Sequence, residues 1–303
     1  MARPFHYGGQ AVIEGVMMRG REHLAIAVRL TNNEITTLAK RLPTIYTGRL
    51  RQTPLVRGIL VLAETLVLSM QSLLYSADVF TGEEQVKGKS ALLWGAVAIG
   101  FIMGLALFLA IPLAITWAVD PYIGSDLVSN LVDGVVRLVI VITYIGAIGL
   151  IPGVRSVFCY HGAEHKVINA YEAGANMEVK EVRRYSTAHP RCGTGFLLIV
   201  LVIAIIAFIF LGRPPMYLRF LWRLLLLPVI AAVSYELMRL GAEHVKNGVV
   251  RTLLAPSLVL QALTTRQPDD PQLEVGISAL KTVIDADAIS EEVTAKATEQ
   301  HSN

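Results

Sequence analysis

The chain has 303 residues, 53% of them apolar and only 17% charged, with a mean hydropathy of +0.53. A soluble domain carries about 25% charged residues, so disorder, collagen-like repeats and a wholly water-soluble protein are excluded in favour of a polytopic membrane protein. The net charge, 27 − 24 = +3, is too small to argue for a nucleic-acid partner, and two cysteines cannot build a disulfide framework.

Residues 1–54 are expected to form an amino-terminal cytoplasmic segment containing β structure. The first twenty residues carry no apolar core of the signal-peptide kind. GGQAVIEGVMMRG at 8–20 ends without the Gly-Lys-Ser/Thr of a phosphate loop. Glu14 and Arg19 are its available polar groups, and Met17 and Met18 read as packing residues. Two short alternating runs flank Thr31-Asn32-Asn33 within 24–40, the pattern of a β-hairpin.

Residues 55–89 follow as an interfacial segment. Thr65, Ser69, Ser72 and Ser76 give Leu55–Ala77 one polar face, with Glu64 in its middle. An amphipathic helix lying on the membrane is expected, the alternative being a bundle helix with a polar face. Four segments then have the length and apolarity to span a bilayer: Ser90–Val119, Leu131–Gly153, Phe196–Gly212 and Met216–Leu240. They form two transmembrane hairpins, 90–153 and 196–240. Arg137, Arg219 and Arg223 lie near span ends, where long basic side chains can snorkel to the headgroups.

Residues 154–195 form a loop between the hairpins, 241–285 a helical carboxy-terminal segment, and 286–303 a flexible tail. In the 241–285 segment Asp270 before Pro271 caps a helix over 267–284. Lysine and arginine number eleven in 1–90, six in 155–195 and six in 239–303, against none in 120–130. Three in 213–223 oppose this bias but are outnumbered. The termini and the 155–195 loop are therefore expected in the cytoplasm.

The chemistry concentrates in that loop. A helix is expected from about Val154 to Ala173, closed by Gly174. His161, Glu164 and His165 share one of its faces at i, i+3 and i+4. H-x-x-E-H is the inverted-zincin pattern, in which two histidines hold a zinc ion and the glutamate acts as base. The bland alternative is a hydrated helix face. A second cluster, His189-Pro190-Arg191-Cys192-Gly193, lies at the entrance to the next span. It brings imidazole and thiolate, both suited to zinc. Arg191 and a helix amino terminus favour the Cys192 thiolate. A closed Cys-Cys-His-His site with Cys159 ranks lower, because Cys159 lies off the face of His165. Glu236, at the inner end of an apolar span, is either a further ligand or proton shuttle, or an ion-pair partner of Arg239.

GGQAVIEGVMMRG at 8–20, YHGAEHK at 160–166, HPRCGTGFL at 189–197, PVIAAVSYELMRL at 228–240 and the stretch 256–280 together resemble the YqhQ-like bacterial membrane proteins. The resemblance spans nearly the whole chain up to about Asp285. It implies a multispanning inner-membrane protein of a family described as a predicted metal-dependent enzyme. It points here to Glu14, His161, Glu164, His165, His189 and Cys192. The resulting expectation is an all-α membrane protein of four spans with a small amino-terminal β element and a cytoplasmic metal-site loop. Its divalent metal, zinc, is held by His161, His165, His189 and Cys192, with Glu164 as catalytic base of a hydrolase. Membrane lipid is the expected partner, and substrate and self-association stay open. The alternative from another class is a scaffold or transporter subunit with a structural metal site.

Overall fold

The computed structural model describes residues 6–48, 53–82 and 89–301, without the side chains of 89–94 and 293–301. The end of the expected 55–89 segment (83–88) and the last two residues of the expected tail lie outside the described residues.

The amino-terminal segment is a four-stranded antiparallel meander: β1 (Gly8–Val12), β2 (Gly15–Arg19), β3 (His23–Arg29) and β4 (Ile35–Arg41), in the order β1-β2-β3-β4. The β3–β4 pair is the hairpin expected over 24–40, with Arg29 opposite Ile35. The β1–β2 pair is additional to that reading, and its turn places Glu14 in the left-handed region at φ 46°. β2 and β3 are buried on both faces, so they read as apolar runs without clean alternation. Val16, Met18, Ala25 and Ala27 point to one side, Met17, Leu24, Ile26 and Val28 to the other.

Helix α1 (Val56–Thr81) covers the second side. Its polar stripe does not face water. Glu64 pairs with Arg19 at 3.0 Å, Ser76 Oγ accepts the Ile13 amide at 3.2 Å, and Ser69 donates to Gln10. Its first turn packs against the helix over Met216–Glu243, where Gly58 touches Ala232.

The apolar part follows as α2 (Lys89–Leu105), a π-turn over Ala106–Ala110, α3 (Ile111–Val119) and α4 (Asp126–Ile148). After α5 (Pro152–Glu172) and the short α6 (Val179–Val182) come α7 (Gly193–Ile209), α8 (Met216–Glu243), α9 (Gly248–Thr264) and α10 (Asp270–His301). Among the described residues, four helices are long and apolar enough to cross a membrane: Val56–Thr81, Gly95–Tyr122, Asp126–Ile148 and Met216–Glu243. α7 and α9 are apolar but shorter.

The arginines expected to snorkel do not. Arg137, Arg219 and Arg223 are buried between helices. Asp133 accepts from Arg223 at 2.5 Å and from Arg137 at 3.0 Å, and Asp120 accepts from Arg219 at 2.7 Å. The guanidinium carbons of Arg137 and Arg223 lie 5.1 and 4.9 Å from the centre of the Phe208 ring. Counter-charges on α4 and at the α3–α4 corner meet them inside the helix packing. A buried charge is tolerable when so paired and costly when not.

α10 differs from expectation at both ends. Its cap is Asp269, one residue earlier than expected: Asp269 accepts the Gln272 amide at 2.9 Å, and the Gln272 side chain accepts the Asp269 amide at 3.1 Å. It also continues to His301, where a flexible tail was expected from 286. Asp287 explains the extension. Its buried carboxylate accepts the amides of Arg21, Glu22 and His23, tying the helix to the β2–β3 turn. α5 and α10 cover the first side of the sheet, in one core with Val16, Met18, Ala25 and Ala27. A three-layer sandwich therefore sits beside the apolar helices, and α5 lies at their junction.

Candidate metal centre

α5 starts at Pro152, whose missing amide is harmless in a first turn, and ends before Gly174 at φ 72°. Three and four residue steps then stack His161 over His165, ring centroids 4.4 Å apart. Each ring is oriented by a backbone carbonyl. Nδ1 of His161 donates to the Thr264 carbonyl at 3.0 Å, and Nδ1 of His165 donates to the Thr187 carbonyl. A carbonyl only accepts, so both Nδ1 atoms carry a proton, and the two Nε2 atoms face Cys192 Sγ and Glu164 Oε2 respectively. This is the outer-shell arrangement that orients metal-binding histidines.

Cys192 is the N-cap of α7, its sulfur accepting the Thr194 amide at 3.4 Å. Sγ lies 3.3 Å from His161 Nε2. The donor atoms of His161, His165 and Cys192 all lie within 4.8 Å of one another. Among the described residues this is the one such group of histidine, cysteine and carboxylate donors. Two imidazoles and a thiol at a helix amino terminus form a donor set that fits zinc.

Glu164 is buried beside this group, its Oε2 3.5 Å from His165 Nε2. β1 must come close to admit it. A Cβ on Gly9 would sit 2.3 Å from the Met17 carbonyl and 3.1 Å from Glu164 Cγ.

His189 is buried nearby, its ring centroid 5.6 Å from that of His165. It falls outside the three-donor group. Its Nε2 has no hydrogen-bond partner and lies 3.7 Å from Glu172 Oε2. Burial raises the Glu172 pKa, but His189, Arg191 and His6 outweigh it and hold the carboxyl down at about 2. Gln261 clamps the His189 backbone at both ends, accepting its amide at 3.1 Å and donating to its carbonyl at 2.9 Å.

The remaining candidates are elsewhere. Glu14 accepts from Ser156 at 2.8 Å and from Tyr160 at 3.2 Å, fastening the β1–β2 turn to α5. Burial and Glu14 push the Tyr160 hydroxyl pKa up. Arg19 is paired with Glu64. Glu236 pairs with Arg57 and accepts the Leu55 amide at 3.1 Å, while Arg239 pairs with Glu243 instead. Cys159 is half-buried and takes no part in the donor group.

Sequence reasoning missed the residues that assemble the loop. Lys166, buried, donates to the Arg183 carbonyl at 2.8 Å and the Tyr185 carbonyl at 2.6 Å, and Asn169 donates to those of Ser186 and Ala188. Burial lowers the Lys166 pKa. These two residues bring the 183–189 segment onto α5. From α9, Gln261 holds His189 and Thr264 holds His161. The available signal was the polar pair in an otherwise apolar LVLQALT run and the Lys and Asn one and four positions beyond H-x-x-E-H.

Residues 53–286 match the family model described as protein of unknown function DUF1385. The chain is 30% identical over 305 residues to the uncharacterized protein YqhQ of Bacillus subtilis (strain 168), covering 95% of each chain. No solved structure matches it. With the family model covering most of its length and this relative nearly all of it, the chain belongs to the DUF1385, YqhQ-like family.

Proposed function

We propose that this is a multi-pass inner-membrane protein with cytoplasmic termini and a zinc-dependent hydrolase site at its cytoplasmic interface. His161, His165 and Cys192 would hold the ion, with His189 adjacent. The observation that carries the reading is the convergence of three donors, both imidazoles fixed by carbonyls, beside the Glu164 carboxylate. Zinc in such a site supplies Lewis acidity that lowers the pKa of water to about 7. Glu164 Oε2 takes a proton from the attacking water and returns it to the leaving group, as the glutamate of H-x-x-E-H does. Burial of Glu164 keeps bulk water from competing for that proton.

The second reading is a membrane scaffold with a structural zinc. The burial of His165, Cys192 and His189 favours it.

Metal analysis of purified protein separates these readings. His161→Ala and His165→Ala should each lose stoichiometric zinc, and occupancy of the wild type should fall as pH drops through about 6.5, since only neutral imidazoles bind. Glu164→Gln should retain zinc and lose turnover. If Glu164→Gln loses zinc as fully as His161→Ala, the carboxylate is a ligand and the hydrolase assignment fails. Full zinc in every histidine variant would remove the site altogether.

A further inference from the structure

We infer that α9 lies in the plane of the membrane, with its outer face embedded in the lipid of the leaflet next to the sandwich and its inner face walling the metal centre. Three independent observations carry this.

The first is an inverted polarity. Ser257, Gln261 and Thr264 share one face of α9, at steps of four and three residues, and all are buried. They meet polar groups: Gln261 holds the His189 backbone, and Thr264 offers its carbonyl to His161 and its hydroxyl to Thr194 at 3.0 Å. Away from that face the helix is apolar and uncovered, with Val259 71% exposed and Leu263 beside it, and toward the amino terminus, where no neighbour covers the helix, Val249 and Leu253 are 70% and 75% exposed. A water-facing helix would show the reverse pattern. Polar side inward and apolar side outward is what lipid selects.

The second is parity. The sheet, α5 and α10 share one hydrophobic core, so all three lie on the same side of the membrane. Between α5 and α10 the chain must therefore cross an even number of times. α8 has the length and apolarity to cross, and α7, joined to it by residues 210–215 and packed along both α8 and α4, supplies the other limb of that hairpin in this reading. α9 then cannot cross. An apolar helix that must contact lipid without crossing lies in the interface.

The third is charge. Between Glu243 and Asp269 no acidic residue occurs, while Lys246 and Arg251 are exposed at the start of α9. Basic residues beside an apolar face fit an anionic leaflet. The occupant of the face is thus phospholipid.

The test uses the full-length protein in nanodiscs of mixed phosphatidylcholine and phosphatidylglycerol. Nitroxide labels are placed singly at Val249→Cys, Leu253→Cys, Val259→Cys and Leu263→Cys in a Cys159→Ser background, with that background alone as the control for Cys192. Oxygen should relax every label more than a water-soluble nickel chelate does, and all four should report one shallow depth. Replacing phosphatidylglycerol by phosphatidylcholine should shift all four labels toward water. Greater access for the nickel chelate would overturn the inference. So would a depth that advances steadily along the helix, which marks a crossing, or dipolar broadening between labels, which marks a second copy. The readout does not involve zinc, so a metal-free protein with an embedded α9 would defeat the proposed function and leave this inference standing.

Discussion

Glu172 shows how single residues support the site without joining it. Its carboxylate faces His189, Arg191 and His6, and they hold its pKa at about 2 against an ordinary 4.5. A folded-state pKa below the unfolded one contributes stability above pH 4.5 that is lost as pH falls from about 4.5 to 2. The group is nearly a third exposed, so solvent screening keeps the contribution modest. Glu172→Gln should therefore melt at a lower temperature than wild type at pH 7, with the gap closing by about pH 2. A gap independent of pH would mean that Glu172 acts through packing. At this scale the sequence was most legible on α5, because the helix period alone puts His161, Glu164 and His165 on one face. Cys192 was found through proximity to a second motif. Partners contributed by distant segments were hidden: the pairing of Glu236 with Arg57, or of Arg223 with Asp133, depends on which helices pack together.

Among the elements, α5 carries the donors, and its fit against the chain after α9 decides where they point. Gly162 is the contact. A Cβ there would lie 2.0 Å from the Arg266 carbonyl, a backbone atom two residues beyond the carbonyl that orients His161. Ordinarily alanine stabilises a helix over glycine by roughly 0.5–1 kcal/mol. At Gly162 overpacking should reverse the sign, costing about 1–3 kcal/mol. Gly153 on the same helix has nothing within 4 Å of its hypothetical Cβ. The expected outcome is that Gly153→Ala raises the thermal midpoint slightly, while Gly162→Ala lowers it and reduces zinc occupancy. Equal behaviour of the two variants would show that the α5–266 contact is dispensable. The β1–β2 hairpin and the role of α9 were not legible for related reasons. β2 is buried on both faces and so lacks the alternation that marks a strand. α9 is apolar on the face a soluble helix would keep polar, and its polar residues are the inward ones.

For the whole molecule, the path of the chain through the membrane turns on α1, which has the length and apolarity to cross. Those properties alone do not decide the matter, and we propose from parity that α1 stays on one side. The sheet precedes α1, and α5 follows α4, yet sheet and α5 share a core and must lie on the same side. Gly95–Tyr122 and α4, both long and apolar enough to cross, would form one outward and return pair between them. A crossing by α1 would make three, and the sandwich could not assemble. The polar stripe agrees, since Glu64, Ser69 and Ser76 are spent on strands β1 and β2 and their turn. Single cysteines at Ile45, before α1, and at Thr81, at its end, should thus react with a membrane-impermeant maleimide from the same side. Tyr122→Cys, in the α3–α4 connection and 89% exposed, should react from the other. On the orientation proposed above, the Ile45 side is cytoplasmic, so in intact cells only Tyr122→Cys should label. Labelling of Ile45→Cys and Thr81→Cys from opposite faces would put α1 across the bilayer and break the sandwich on which the metal centre rests. Labelling of both from outside would keep the architecture and invert it, moving the centre to the outer face.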